Sequence, residues 1–241
     1  MEKSSFLGHL QELRSRILKS LIVILVCFLG LIYFSNDIYL LLSEPLLIFL
    51  PSNSSMIATE VASPFLTPLK LTFYVSLLVS MPFLLNQIWR FIAPGMYENE
   101  KTLSFLIMLS SLVLFYLGVL FTYFLVLPLV FGFFTGAAPE GVLIMTDISR
   151  YLDFVLSMMF AFSFAFEIPI FIFLLIWSGI SSSESLRSKR PYVIIGCFTV
   201  GMLITPPDVI SQSLLAIPAW ILFELGIVMA KILVEKKDQK S

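Results

Sequence analysis

Apolar residues run along this chain in stretches approaching twenty, separated by short clusters of charge, proline and glycine. Each stretch is long enough to cross the roughly 30 Å hydrocarbon core of a bilayer as a helix. No period-two alternation marks a β-strand, and the need to close every backbone hydrogen bond in lipid leaves the helix as the spanning form. The pattern predicts an all-α polytopic membrane protein with six transmembrane helices. Their expected ranges are about Ile17–Phe34, Leu69–Ile88, Leu103–Leu127, Tyr151–Trp177, Pro191–Ile204 and Val209–Val234. The whole of 1–241 reads as one integral membrane domain, with an amphipathic lead-in at 1–16, the membrane region at 17–234 and a tail at 235–241.

Composition agrees with lipid as the solvent. The 241 residues are 59% hydrophobic and 13% charged, and mean hydropathy is +0.98, more apolar surface than a water-soluble domain can hide. The first 20 residues carry Glu2, Glu12 and four basic residues, which is not the pattern of a cleavable signal peptide. A net charge of −1 says nothing about nucleic acid, and no nucleic-acid partner is expected. Cys27 and Cys197 both fall in apolar stretches, where a cysteine serves as a small packing residue.

Charge orients the spans. Lys3, Arg14, Arg16 and Lys19 precede the first helix, and Arg90 and Lys101 flank the loop after the second. Arg187, Lys189 and Arg190 lie between the fourth and fifth, and Lys231, Lys236, Lys237 and Lys240 end the chain. Thirteen of the 15 basic residues thus collect on one side, leaving Lys70 and Arg150 on the other beside Asp37, Glu44, Glu60, Glu140, Asp147 and Asp208. By the positive-inside rule both termini are expected in the cytosol. Of the outer segments, 36–68 is long and contains a helical pattern over Asp37–Phe49, 128–150 is a second loop, and Thr205–Asp208 is a Pro-Pro turn. Helices five and six are expected to be short. About 14 residues in the fifth rise only roughly 21 Å, which calls either for local thinning of the bilayer or for a tilted, re-entrant segment.

Three acidic positions stand out. Phe6, Leu10, Leu13 and Ile17 repeat at helical spacing before the first span, while His9, Glu12 and Arg16 share another face. Glu12 is open to two readings: an i,i+4 pair with Arg16 contributing about 0.2–0.5 kcal/mol, or a carboxylate offered to a partner. In the loop after the second span, Asn99 has the chemistry of an N-cap, and Glu98 and Glu100 would then sit at the positive end of a helix dipole. Capping does not account for Phe91, Met96 and Tyr97 in the same loop, which resemble a peptide-docking surface. Glu167 lies well inside the fourth span, where a charge costs about 2.5–3.5 kcal/mol on insertion scales, so it must be neutral, paired or facing a wet cavity. Pro169 frees a carbonyl one turn upstream of itself and favours a bend there. Glu224 is a similar acid nearer the cytosolic end of the sixth span.

No enzyme site is legible. His9 is the only histidine and has no nucleophile near it in the pattern, and no phosphate-binding loop occurs. No metal site and no cofactor are expected. A secondary transporter with Glu167 as proton-coupling residue is the alternative class. That fold needs a repeat with broken Gly-rich helices, which the chain does not display. Gly132-x-x-x-Gly136 matches a small-residue packing motif only at a helix end.

The motifs taken together resemble the TatC family, the multispanning core of the twin-arginine protein translocase. They are His9-Leu10-Gln11-Glu12-Leu13-Arg14-Ser15-Arg16, Ser63-Pro64-Phe65, and Phe91-Ile92-Ala93-Pro94-Gly95-Met96-Tyr97-Glu98-Asn99-Glu100. Phe166-Glu167-Ile168-Pro169, Arg187-Ser188-Lys189-Arg190-Pro191-Tyr192 and Thr205-Pro206-Pro207-Asp208 complete the series in order. The resemblance implies a receptor for signal peptides with paired arginines, bound by Glu12 and Glu100 with Phe91, and with His9, Leu13, Arg16 and Pro94 around them. It implies that Glu167 lines a pocket inside the membrane and that TatA and TatB dock near Met202, Thr205 and Gln212. Pro45 and Asp208 match outer-side positions linked to transport. The family role further implies a bacterial inner-membrane location, contact with other copies of the chain, transport of folded cargo driven by the proton-motive force, and no catalytic turnover.

Overall fold

A computed structural model describes residues 2–49, 56–92, 101–137, 145–204 and 209–238. Among these residues the chain is helical throughout, with one isolated parallel bridge between Ile57 and Asp147. In chain order the helices are α1 (Glu2–Leu31), α2 (Ser35–Leu47), α3 (Ser63–Ile92), α4 (Lys101–Phe121) and α5 (Leu127–Gly136). There follow α6 (Ile148–Ala165), α7 (Ile168–Trp177), α8 (Ser183–Ser188), α9 (Arg190–Ile204) and α10 (Val209–Asp238).

Among the described residues, five segments are long and apolar enough to span a membrane: Leu10–Leu47, Ser63–Phe91, Phe105–Gly136, Ile148–Trp177 and Val209–Ile232. The sixth apolar helix, Arg190–Ile204, has 15 residues, as its short hydrophobic run predicts. The expectation that helix six is also short is wrong: α10 continues for 30 residues. The one charge within its apolar run before Lys231 is Glu224, which is paired with Arg190.

Proline marks where the helices change. Pro128 has no N–H to offer the carbonyl of Phe124, and the chain passes through a π turn at Thr122–Val126 just before it. Pro169 does the same to Ala165, and the fourth span divides into α6 and α7 with Phe166 and Glu167 between them. There the amide of Glu167 bonds to the carbonyl of Phe164 at 3.0 Å, a tightened turn. The bend expected from Pro169 is therefore a break in the helix.

The residues fall into two compact units. Unit 1 comprises 1–44, 57–112 and 147–152, and unit 2 comprises 45–56, 113–146 and 153–241. In unit 1, α1 packs along α3, with Phe28 edge-on to Phe73 at 6.1 Å between ring centres. In unit 2, α7 and α9 pack on α10. Ile172, Leu186, Phe223 and Ile227 form a buried cluster there. Two glycines set the closeness of the helices in unit 2. A Cβ on Gly118 would stand 2.7 Å from the Cα of Ser163, and one on Gly226 would stand 2.9 Å from the Cα of Pro169. In lipid, where burial of apolar surface gives no drive between helices, such backbone approach maximises dispersion contact.

Buried hydroxyls find acceptors on their own helices. Thr72 donates to Pro68 O at 2.8 Å, Thr122 to Gly118 O at 2.8 Å and Ser163 to Met159 O at 2.6 Å. No donor is carried into the apolar phase at these positions without an acceptor.

Candidate functional site

The site at the α1–α3 pair begins with helical spacing. Glu12 and Arg16 are one turn apart on α1, and the guanidinium turns back to the carboxylate. Arg16 Nε donates to Glu12 Oε1 at 3.0 Å, and Arg16 Nη2 donates to the same oxygen. The group also reaches the last turn of α3. Nη1 donates to Gln87 Oε1 at 3.1 Å, and Nη2 donates to the backbone carbonyl of Arg90 at 3.2 Å. The arginine side chain is 19% exposed and the glutamate 39%. The cation is enclosed between two helices while the anion stays open to solvent, and the bonds from Arg16 use only one carboxylate oxygen.

Below this pair a groove of about 510 Å³ runs between α1 and α3. Arg16, Gln87 and Phe91 stand at its polar end, and Leu13, Leu21 and Leu84 are among its apolar walls. Phe91 is 37% exposed. The structure thus brings together four of the residues singled out in the sequence: Glu12, Leu13, Arg16 and Phe91. Pro94 and Glu100 lie outside the described residues, as does the side chain of His9. Gln87 was not anticipated. A glutamine near the end of α3, between apolar stretches and beside Asn86, was the available signal, because an amide there needs a polar partner.

Glu167 is half-buried in unit 2, at the break between α6 and α7. Near it, a second groove of about 540 Å³ opens between α6, α9 and α10, lined by Phe164, Ile168, Cys197 and Leu215 among others. Of the three positions assigned to partner docking, Met202 is 55% exposed. Gln212 turns inward: its amide donates to Phe198 O at 2.7 Å, and its Cγ lies where a side chain on Gly201 would have to go. Thr205 and Asp208 are outside the described residues. Pro45 is buried in α2.

Glu224 is fully engaged. Arg190 Nε donates to its Oε1 at 2.6 Å and Arg190 Nη2 to its Oε2, a two-point fork that joins α9 to α10. Both cysteines are free thiols. Among the described residues no group of three or more His, Cys, Asp or Glu is arranged to hold a metal ion.

A further polar cluster, in unit 1, escaped the sequence reading. Asp147 precedes α6 and accepts the amides of Ser149 at 2.9 Å and Arg150 at 3.0 Å, as an N-cap does. Its other oxygen takes the hydroxyl of Thr59 at 2.7 Å and the amide of Thr59 at 3.0 Å. The Thr59 hydroxyl first, then these backbone amides, hold the carboxyl down at about 2. Ser149 extends the cluster to Ser63 at 2.9 Å and Thr67 at 3.0 Å, so the start of α6 is fastened to the start of α3.

Known proteins resemble the chain over most of its length. The model of the TatC family, "Sec-independent protein translocase protein (TatC)", matches residues 8–218. The Sec-independent protein translocase protein TatC of Azotobacter chroococcum mcd 1 is 57% identical over 220 residues, covering 91% of this chain and 86% of that protein. The protein of the same name from Escherichia coli (strain K12) is 55% identical over 228 residues, covering 95% and 88%. A crystal structure of the twin arginine translocase receptor TatC superposes with a TM-score of 0.84 at 35% identity, covering 93% of this chain and 98% of that one.

Proposed function

The chain belongs to the TatC family, and on that premise we propose that it is the signal-peptide receptor of its translocase, reading paired arginines with Glu12 and Glu100. It is a multispanning membrane subunit of the Sec-independent protein translocase. The observation that supports the receptor reading is Glu12 itself: a carboxylate 39% exposed, one oxygen of which is bound by Arg16, and Arg16 in turn lines an apolar groove.

The chemistry follows from geometry. A guanidinium is a planar fork that donates two parallel bonds to a carboxylate, which an ammonium cannot do. Two such carboxylates select two adjacent arginines over one. At a membrane edge the effective dielectric is below that of bulk water, so each pair exceeds the ~0–1 kcal/mol of a fully exposed bridge. Phe91 and Leu13 continue the site into the α1–α3 groove, where the apolar stretch that follows the arginines finds matching surface. His9, Arg16 and Pro94 belong to the same neighbourhood in this reading.

Both termini and the receptor site face the cytosol of a bacterium, on the strength of the basic residues that gather there. Glu167, at the break between α6 and α7, lines the pocket that receives the rest of the signal within the membrane. TatA and TatB-type subunits dock at α9 and α10 near Met202, Thr205 and Gln212, and Pro45 and Asp208 serve on the outer side. The complex contains further copies of the chain and uses the proton-motive force to move folded cargo, with no cofactor.

The test is crosslinking. A photoreactive group at position 100 of the membrane-embedded protein should capture a signal peptide bearing Arg-Arg and not its Lys-Lys counterpart. Equal capture of the two peptides would make the chain a general scaffold that does not read the arginine pair.

A further inference from the structure

Resting on the twin-arginine reading of Glu12, we infer that Arg16 is an internal stand-in for a signal arginine, which occupies the receptor carboxylate until a peptide displaces it. Its guanidinium makes with Glu12 the kind of bond that the signal must make, through Nε and Nη2 to Oε1. The resting carboxylate is therefore already paired at Oε1, and an incoming arginine that grips both oxygens has to displace the guanidinium that holds it.

The exchange is made feasible by the other contacts of Arg16. Nη1 holds Gln87 Oε1 at 3.1 Å and Nη2 holds the carbonyl of Arg90 at 3.2 Å. These acceptors belong to α3 and do not depend on Glu12. When a peptide takes the carboxylate, Arg16 keeps a polar berth at the end of α3 and is not left as an unsatisfied cation beside the groove. Glu12, the more exposed partner, is the one that can change partners; Arg16, at 19% exposure, stays seated. An i,i+4 pair that only stabilised α1 would have no need of a guanidinium tied to a second helix.

The consequence is a threshold on binding. A site that is open only part of the time weakens every ligand by the fraction of time it is open. Arg16 lowers the affinity for Arg-Arg and Lys-Lys peptides by the same factor. The stronger ligand still loads, and the weaker one falls below useful occupancy. Arg16 is thus a gatekeeper of the carboxylate, and its charge is not part of the surface that attracts the peptide.

The experiment measures binding of Arg-Arg and Lys-Lys signal peptides to the full chain in lipid nanodiscs by fluorescence anisotropy, for wild type, Arg16→Gln, Glu12→Gln and the double variant. Arg16→Gln is expected to tighten both peptides by a common factor of about five, the scale of releasing a partly exposed ion pair, and to add nothing in the Glu12→Gln background. Weaker binding by Arg16→Gln overturns the inference and makes Arg16 a residue that positions Glu12 or binds the peptide directly. Unchanged Arg-Arg binding by Glu12→Gln overturns the receptor reading itself, so the two failures are separable. A second measurement needs no variant: NMR of the wild-type Arg16 Nε–H should show faster exchange with water once Arg-Arg peptide is bound. An Nε–H that stays protected in the complex overturns the inference as well.

Discussion

The chain carries two arginine–glutamate pairs, and they are built in opposite ways. Glu224 gives both oxygens to Arg190, across two helices, and is 23% exposed. Glu12 gives one oxygen to Arg16 on its own helix, and is 39% exposed. In the first pair the acid is saturated and the fork joins α9 to α10. In the second the arginine is the anchored member, tied across to α3, and the acid keeps an oxygen that Arg16 does not use. The difference teaches how to tell a closed clamp from a carboxylate left open to a further partner where residue types are identical. What counts is which partner is saturated and which is accessible.

Breaking the comparison at Glu12 should have the largest effect. Glu12→Ala, or Glu100→Ala, is expected to abolish export of twin-arginine substrates in cells while the protein still inserts in the membrane. Normal export by the double alanine variant, assayed by substrate arrival outside the cytoplasm, would remove the receptor reading. Glu224→Gln should behave in the other way: thermal unfolding in detergent occurs at a lower temperature, while affinity for an Arg-Arg peptide is retained. Exchanging the charges, Arg190→Glu with Glu224→Arg, should recover much of that stability, since the fork can form in reverse. A clamp that also bound the signal would lose peptide affinity in Glu224→Gln, and the distinction between the pairs would collapse.

The close helix crossings supply a control on stability alone. Gly118→Leu forces a side chain onto the backbone of Phe162 and Ser163 and should cost about 1–3 kcal/mol in unfolding measurements. Gly136→Leu, with open space around it, should cost much less. The Gly132-x-x-x-Gly136 match is correspondingly weak: a side chain added at Gly132 would meet the ring of Phe49 at 3.3 Å, and one at Gly136 would meet open space.

The smallest effect belongs to the Asp147 cluster. Its folded carboxyl titrates at about 2 against an ordinary 3.8, so its contribution to stability is complete above about 3.8 and disappears as the pH falls through about 2. Protection of the Thr59 amide, followed by NMR or hydrogen exchange, should drop across that acid window and not between pH 5 and 8. A loss near neutrality would mean that some other group holds the segment.

Most of the architecture was legible beforehand because spanning a bilayer is a local requirement. An apolar run either is or is not long enough, and Pro169 and the short stretch before Thr205 announce their effects within a few residues. The third span is the exception: expected to give way to a loop at 128, it instead continues through α5 to Gly136, because Pro128 is accommodated at the start of a helical turn. Glu224 stood out as an acid inside an apolar helix, and its partner lies 34 positions away in Arg190, where no local pattern points to it. Gln212 shows the same limit. The resemblance put it at a partner-docking position, and its amide closes onto Phe198 O, a bond between α10 and α9 that no local pattern reports.

The sequence by itself determined the spans, their expected orientation, the break-prone prolines and the acids worth watching, since these follow from hydropathy, charge and backbone chemistry within one segment. Only the tertiary structure decided which acid is saturated by its partner and which keeps an oxygen that its arginine does not use. Glu12 and Glu224 both stand near arginines in the chain or in space, and nothing in their own segments says which one is saturated. That depends on Gln87 and the carbonyl of Arg90 meeting Arg16, and on α9 delivering Arg190 to α10. Hydrogen-bond saturation is set by partners distant in sequence, so it becomes readable only when the helices have packed.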